Sequence, residues 1–390
     1  MEISATRSRG EIENRPARRH SLRVVICALL VTASTILPYL YAYFTTPSGL
    51  QFEGILVMPQ DLFSYLAKMQ LGASGEWLFR LMYTPENHDG AFILPFYLTL
   101  GRLSSALGMP LVLTFHLARL ATGTLLLVTV FYFALSIFGR ADRAWACFAV
   151  VALSSGLGWL ATLFGHLSAD LLIPELTTYA AIFANPHFPL GVALLIGALL
   201  AMLKAIERRQ VKYAFMGGLL TLGQTFVQPF LVITVIVVVV VWLVWRWLTL
   251  TGPGVRLVSP NEGRVGLPRT SAPFDLIRAE AAYLGLLLVL PAPGLVYDFV
   301  ALYLNPVLSQ WTAQNVTPSP PFYDYLLGYG LLALLAGFGL AHEVLRLRVG
   351  KLAELRGYGV SGYSADKRID SPSSSAYPLP QSADAASPSE

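Results

Sequence analysis

Between residues 21 and 348 the chain alternates long apolar runs with short polar breaks. The runs fall at about 22–44, 111–138, 143–165, 188–205, 212–226, 228–247, 279–303 and 325–346. A helix needs about 20 apolar residues to cross a bilayer core, so the pattern predicts an all-α integral membrane protein with about eight transmembrane helices. The run at 212–226 is short and ends in GQTFVQP. It predicts either a hairpin with 228–247 or a helix partly broken at Pro229. A ninth stretch, Ala91 to Gly108, holds Pro95 and Gly101 and carries Arg102 in its middle. A central arginine in a span costs about 2.5–3.5 kcal/mol, so this stretch predicts an interfacial helix that does not span.

Composition agrees: of 390 residues 55% are hydrophobic and only 13% charged, which excludes a sizeable soluble domain. The sequence pI near 9.0 comes without any basic stripe interleaved with aromatics, so nucleic acid is not an expected partner. Cys27 and Cys147 both lie in apolar runs, which argues against a disulfide framework or a thiolate metal site. Residues 1–20 carry five arginines and no apolar periodicity, and predict a disordered basic tail. The run after it exceeds the roughly 7–15 residues of a signal-peptide core and predicts a signal anchor. If 91–108 does not span, Lys68, Arg80 and Arg102 are the basic residues left outside, with Arg119 within a span. The positive-inside rule then predicts a multi-pass protein of the cell (inner) membrane with both termini cytoplasmic. The expected organisation is a tail at 1–20, a membrane domain at 21–348 with its first external loop at 45–110, and a disordered Ser/Pro/Ala-rich tail at 349–390. The loop at 249–277 has no periodicity, and Asn315-Val316-Thr317 has the form of a glycosylation acceptor.

Candidate chemistry concentrates in the polar stretch from Met58 to Phe92, with Asp61, Glu76, Glu86, Asp89, His88, Lys68 and Arg80. Leu62, Leu66 and Met69 share one helical face, opposite Asp61, Ser64 and Lys68, which predicts an amphipathic helix resting on the bilayer surface. Asp61 follows Pro59-Gln60 and reads equally as the N-cap of that helix and as the reactive carboxylate of a membrane-surface site. Glu86, His88 and Asp89 are able to bind a divalent cation such as magnesium or manganese, while a solvated turn around Asp89-Gly90 explains them as well. His116 and Arg119 lie at i, i+3 in the run beginning near Leu111, about 8–12 Å from its start at 1.5 Å per residue. An intramembrane arginine is a functional candidate with a structural alternative. His187 stands at a helix entry, and Trp77, Trp311, Tyr323 and Tyr325 flank external segments as interface anchors.

One span, then a long loop whose helix begins at an acidic residue, then many spans, resembles the GT-C class of polyprenyl-phosphate-sugar-dependent glycosyltransferases. The likeness is to bacterial relatives of the protein mannosyltransferase group. It is carried by QDLFSYLAKMQLGASGEWLF, YTPENH, LGR, FHLAR, NPHFPLG, QPF and SPPFYDYLLGYG, in that order, over roughly residues 22–346. Many members have two adjacent acidic residues in the loop motif, where this chain has Gln60-Asp61, and such enzymes are often longer. The resemblance implies a sugar presented on a polyprenyl phosphate at the outer leaflet and an acceptor that is a glycan, lipid or protein. It implies Asp61 as the base and Arg119, His116 and His187 as donor-phosphate contacts, with Glu86, Asp89 and His88 as accessory acidic or metal residues. The competing expectation is a non-enzymatic polytopic protein, either a lipid-linked-sugar transporter or an inactive scaffold; no inverted repeat favours the transporter.

Overall fold

The computed structural model describes residues 21–251, 273–314 and 318–355. The basic tail at 1–20, most of the loop expected at 249–277, the Asn315-Val316-Thr317 triplet and all but the start of the tail expected at 349–390 lie outside them. The described residues fall into two units, 1–333 and 334–390.

Among the described residues every regular element is a helix; Phe79 and Ala91 form an isolated antiparallel bridge with N–H···O distances of 2.8 and 3.0 Å. In order these are α1 (21–34), α2 (Leu37–Phe44), α3 (Pro59–Ala73), α4 (Pro95–Leu107), α5 (Leu111–Phe138) and α6 (Ala141–Leu153). Short turns α7 (Gly158–Thr162), α8 (Ala169–Leu172) and α9 (Thr178–Ala184) follow. The remainder are α10 (His187–Arg208), α11 (Val211–Val227), α12 (Leu231–Thr251), α13 (Pro273–Val289), α14 (Ala292–Leu304), α15 (Pro306–Gln314) and α16 (Phe322–Leu355). Helix therefore continues past residue 349, where a disordered tail was expected to begin.

Seven segments among the described residues are long and apolar enough to cross a membrane: Ser21–Phe44, Leu111–Phe138, Ala141–Thr162, His187–Arg208, Leu231–Thr249, Ile277–Leu304 and Phe322–Arg346. Their outward side chains are apolar, with Leu30 66% and Ile233 62% exposed, surfaces that suit lipid rather than water. The chain has the make-up of a multi-pass membrane protein. The eighth expected run forms α11, but with 17 residues it measures about 26 Å, short of the roughly 30 Å hydrocarbon core. It turns back beside α10 and packs against α13, touching α12 little, so α10 and not the 228–247 run is its main partner, and the helix breaks at Gln228-Pro229 before α12 begins. α4, at 13 residues, is not among the seven. Its Arg102 guanidinium lies 4.0 Å from the Trp77 ring centroid and donates to the Gly75 carbonyl.

The two largest apolar clusters among the described residues tie the long helices together. Val24 and Ala28 of α1, Leu127 and Phe131 of α5, and Phe148 of α6 form one. Met202 of α10, Ala214 of α11, Val235 and Val239 of α12, and Leu284 and Leu287 of α13 form the other. An Arg246–Glu280 ion pair at 2.7 Å, with the Trp242 indole N–H on the same carboxylate, ties α12 to α13.

α3 and α4 cross closely at two glycines. A Cβ on Gly72 would fall into the Leu98 carbonyl, and one on Gly101 into that of Met69. This contact corrects the expectation of a helix lying on lipid: Leu62 and Met69 bury against Tyr97, Leu100 and Phe115. The amphipathic pattern of α3 was real, but its apolar face meets protein.

Candidate active site

α3 opens at Met58, whose φ of 48° lies in the left-handed region and whose side chain makes no capping bond. Pro59 then fills the first helical position, where a missing N–H costs nothing. Asp61 is therefore the third helical residue and not the N-cap, a correction to the sequence reading. It still sits in the first turn, where the helix dipole favours a negative charge. From there Asp61, Ser64, Tyr65 and Lys68 follow at i, i+3, i+4 and i+7, on one face.

That face lines a cavity of about 580 Å³. Tyr97 of α4, His187 at the start of α10, Gln228 in the α11–α12 turn and Trp311 of α15 complete the polar and aromatic wall, with Phe226 and Phe230 beside them. Lys68 is 3% exposed. Its ammonium donates to Ser64 Oγ at 2.8 Å and stands 4.9 Å from the Tyr65 ring and 5.2 Å from that of Phe79. Burial pulls its pKa down to about 8, against the opposing pull of Asp61. At neutral pH it remains a cation with few other partners.

Tyr65 stacks on Tyr97 at 4.4 Å between centroids, and the Tyr97 hydroxyl is hydrogen-bonded to His187 Nδ1 at 2.6 Å. Burial pushes the Tyr97 phenol well above its ordinary range, so it stays neutral and can donate to Nδ1, leaving Nε2–H as the ring's free donor. Gln228 is 3% exposed and its side-chain oxygen has no hydrogen-bond partner among the described residues. A Cβ on Gly191 would collide with that oxygen, so the glycine makes room for the amide. Glu175 does not line the cavity but lies near enough to feel it: its pKa is raised by partial burial and, to a lesser degree, by the charge of Asp61.

The residues expected to act together separate into three places. Asp61 and His187 share the cavity. His116 and Arg119 do not line it. Arg119 is fully buried; it donates to the Phe183 carbonyl and lies 4.4 Å from the Tyr39 ring centroid, leaving Nε and Nη2 without partners. His116 Nε2–H donates to the Gly54 carbonyl at 3.1 Å, and its ring meets Tyr39 edge-on. Both residues knit α5 to α2 and the loop before α3.

The third group is Glu86, His88 and Asp89. His88 accepts from Leu81 N–H at 2.9 Å through Nε2 and donates through Nδ1 to the Glu86 carbonyl at 3.0 Å. Both ring nitrogens thus pin the loop, and Asn305 binds the Asp89 carbonyl at 3.1 Å. Among the described residues no three His, Cys, Asp or Glu side chains converge as metal ligands, so the accessory metal arrangement is not formed by this trio.

No protein-family model, curated protein or solved structure matches the chain.

What the cavity can do chemically rests on its own residues. Asp61, Lys68 and the His187 imidazole line one space walled by aromatic rings. Such a set can take a proton from a hydroxyl, neutralise an anionic group and hold a sugar ring against tyrosine or tryptophan. The sequence reading gave Lys68 only as a neighbouring charge and passed over Tyr97, Gln228 and Glu175. Gln228 was signalled by the QPF turn, and Lys68 by its place on the Asp61 face. Tyr97 and Glu175 arrive from segments that only the fold brings near.

Proposed function

We propose that this protein is a GT-C-type glycosyltransferase that moves a sugar from a polyprenyl-phosphate donor to an acceptor at the outer face of the membrane, by inverting single displacement. On this reading the eight-run topology holds, α11 being a short span, and α3 and α4 cap the bundle on the outer side. The observation that carries the reading is the sharing of one cavity by Asp61 and Lys68, a base and a cation two turns apart on a single helix face.

The acceptor hydroxyl oxygen attacks the anomeric carbon as the bond from that carbon to the phosphate oxygen breaks. Asp61 takes the hydroxyl proton. The electron pair leaves with the polyprenyl phosphate, whose charge Lys68 and His187 Nε2–H receive. Phe226 and Phe230 offer apolar surface to the lipid-borne donor. Arg119, sealed beneath Tyr39, takes the role of an internal strut instead of a phosphate ligand.

The test is Asp61→Asn. The amide preserves size, and loss of the first-turn charge costs helix stability only about 0.3–1 kcal/mol, so the protein should insert and purify normally. Transfer from a panel of polyprenyl-phosphate sugars should fall by about 10²–10⁴-fold, the usual contribution of a general base. Undiminished transfer by the variant would remove Asp61 from the chemistry. No transfer by the parent chain across the panel would leave the non-enzymatic scaffold.

A further inference from the structure

A second and larger cavity, about 850 Å³, opens between α5, α10 and α11. Its walls are apolar: Leu125 and Val128 from α5, Leu194 and Leu200 from α10, and Met216 and Leu220 from α11. Lys204, Arg208 and Lys212 stand at one end of it. Lys204 and Arg208 lie 17 and 21 residues along α10 from His187, which is about 26 and 32 Å at 1.5 Å per residue. The basic end thus sits a membrane's thickness away from the Asp61 cavity.

We propose that this crevice binds one anionic glycerophospholipid, its acyl chains between α5, α10 and α11 and its phosphate on Lys204, Arg208 and Lys212. The charge argument is direct. None of the three basic side chains has an ion-pair partner among the described residues, and Glu207 is the one acidic residue lining the cavity. Tyr213 gathers two of the cations: Arg208 lies 5.8 Å and Lys212 5.1 Å from its ring, and Arg208 Nη1 donates to its hydroxyl at 3.4 Å. Cations held over one ring at the mouth of the crevice are pre-arranged, which lowers the ordering cost of binding. The first turn of α11 adds backbone N–H groups that no side chain caps, a further attraction for phosphate. A greasy cleft between spans with cations at one end matches the amphiphile itself, and basic pockets of this kind bind anionic headgroups.

The rival explanation is a general basic skirt that draws anionic lipid without a site. The experiment uses the full chain, purified in detergent, delipidated and presented with dioleoyl phosphatidylglycerol, dioleoyl phosphatidylcholine or inorganic phosphate. Native mass spectrometry and thermal unfolding read the result. One phosphatidylglycerol should be retained, roughly tenfold or more over phosphatidylcholine, and should raise the melting temperature. The combined Lys204→Gln, Arg208→Gln, Lys212→Gln variant should lose that preference, while Lys204→Arg with Lys212→Arg keeps it. Thr129→Trp, which fills the apolar crevice and leaves the cations, should also lose the lipid. Arg143→Gln, at a basic residue outside the crevice, should retain it. Equal retention of the two lipids would overturn the site, as would lipid kept by the triple variant or by Thr129→Trp. Loss in Arg143→Gln would favour the skirt. Competition by millimolar phosphate would point to a free-anion site, and a dimer seated on this face would replace the lipid with a second copy; either outcome overturns the proposal.

Discussion

Lys68 shows how a single side chain can be placed for chemistry at a cost to the fold. The residue is 3% exposed, and burial lowers its pKa from 10.5 to about 8. In the unfolded chain the lysine keeps its proton up to about pH 10.5, so between about 8 and 10.5 the unfolded state binds more protons than the folded one. Stability therefore rises with pH across that window, and the penalty is fully present below pH 8. Donor binding runs the other way. On the proposed function the phosphate contact would exist only while Lys68 is charged, so affinity for a polyprenyl phosphate should fall as pH rises through about 8. Lys68→Met should bind the donor more weakly at neutral pH, by about 2 kcal/mol or more, and lose that pH dependence. It should be at least as stable as the parent at pH 7, because an apolar side chain replaces a buried charge. Titrating donor binding and thermal unfolding from pH 6 to 10 checks both signs; a pH-independent affinity in the parent would take Lys68 out of the phosphate site. Periodicity was enough to put Asp61, Ser64 and Lys68 on one face. That the lysine would be buried was not legible, because burial depends on Phe79 and Tyr65 closing over it. Arg119 was legible as an unusual intramembrane charge, yet its nearest groups, Tyr39 and the Phe183 carbonyl, come from segments far away in sequence.

The same dependence on tertiary contact decides what α3 and α4 are. Each begins with a residue at positive φ, Met58 at 48° and Leu94 at 52°, directly before a proline. A proline disfavours the right-handed helical region for the residue before it, and here that residue turns the chain sharply into the helix. The sequence pattern predicts an amphipathic helix at α3 and a non-spanning interfacial one at α4, and with 15 and 13 residues both are too short to span. It showed no partner for their apolar faces, and lipid was the default. The glycines carried the missing signal: Gly72 and Gly101 are where the two backbones meet, against Leu98 and Met69. Gly101→Ala should therefore force α3 and α4 apart. Overpacking of this kind typically costs about 1–3 kcal/mol, and because Asp61 and Lys68 ride on α3, activity should fall with stability. Gly285→Ala is the control, since nothing lies within 4 Å of its added Cβ. A melting temperature for Gly101→Ala equal to that of Gly285→Ala would mean that the two helices are not in contact at this crossing.

At the scale of the whole molecule the hydrophobic pattern was the most legible feature, because length and apolarity suffice to define a span. Seven of the eight expected runs meet both conditions, and the remaining one, α11, has only 17 residues. Sidedness is a separate matter, since it follows from where the lysines and arginines lie relative to lipid. If α10 crosses the membrane from its His187 end to its Arg208 end, Asn87 and Gln210 emerge on opposite faces, the first among the loops flanking the Asp61 cavity and the second beside the basic crevice. Both are exposed. The basic residues Lys204, Arg208, Arg209 and Lys212 cluster around Gln210, and the positive-inside rule predicts that this face is the cytoplasmic one. With Cys27 and Cys147 replaced by alanine, Asn87→Cys should react with a membrane-impermeant maleimide on intact cells. Gln210→Cys should react only after the membrane is opened. Labelling of both cysteines from the same side would mean that α10 does not carry the chain across, and the donor cavity and the lipid crevice would share one leaflet. Labelling of Gln210→Cys alone from outside would invert the molecule and put the Asp61 cavity in the cytoplasm, where a polyprenyl-linked sugar at the outer leaflet could not reach it.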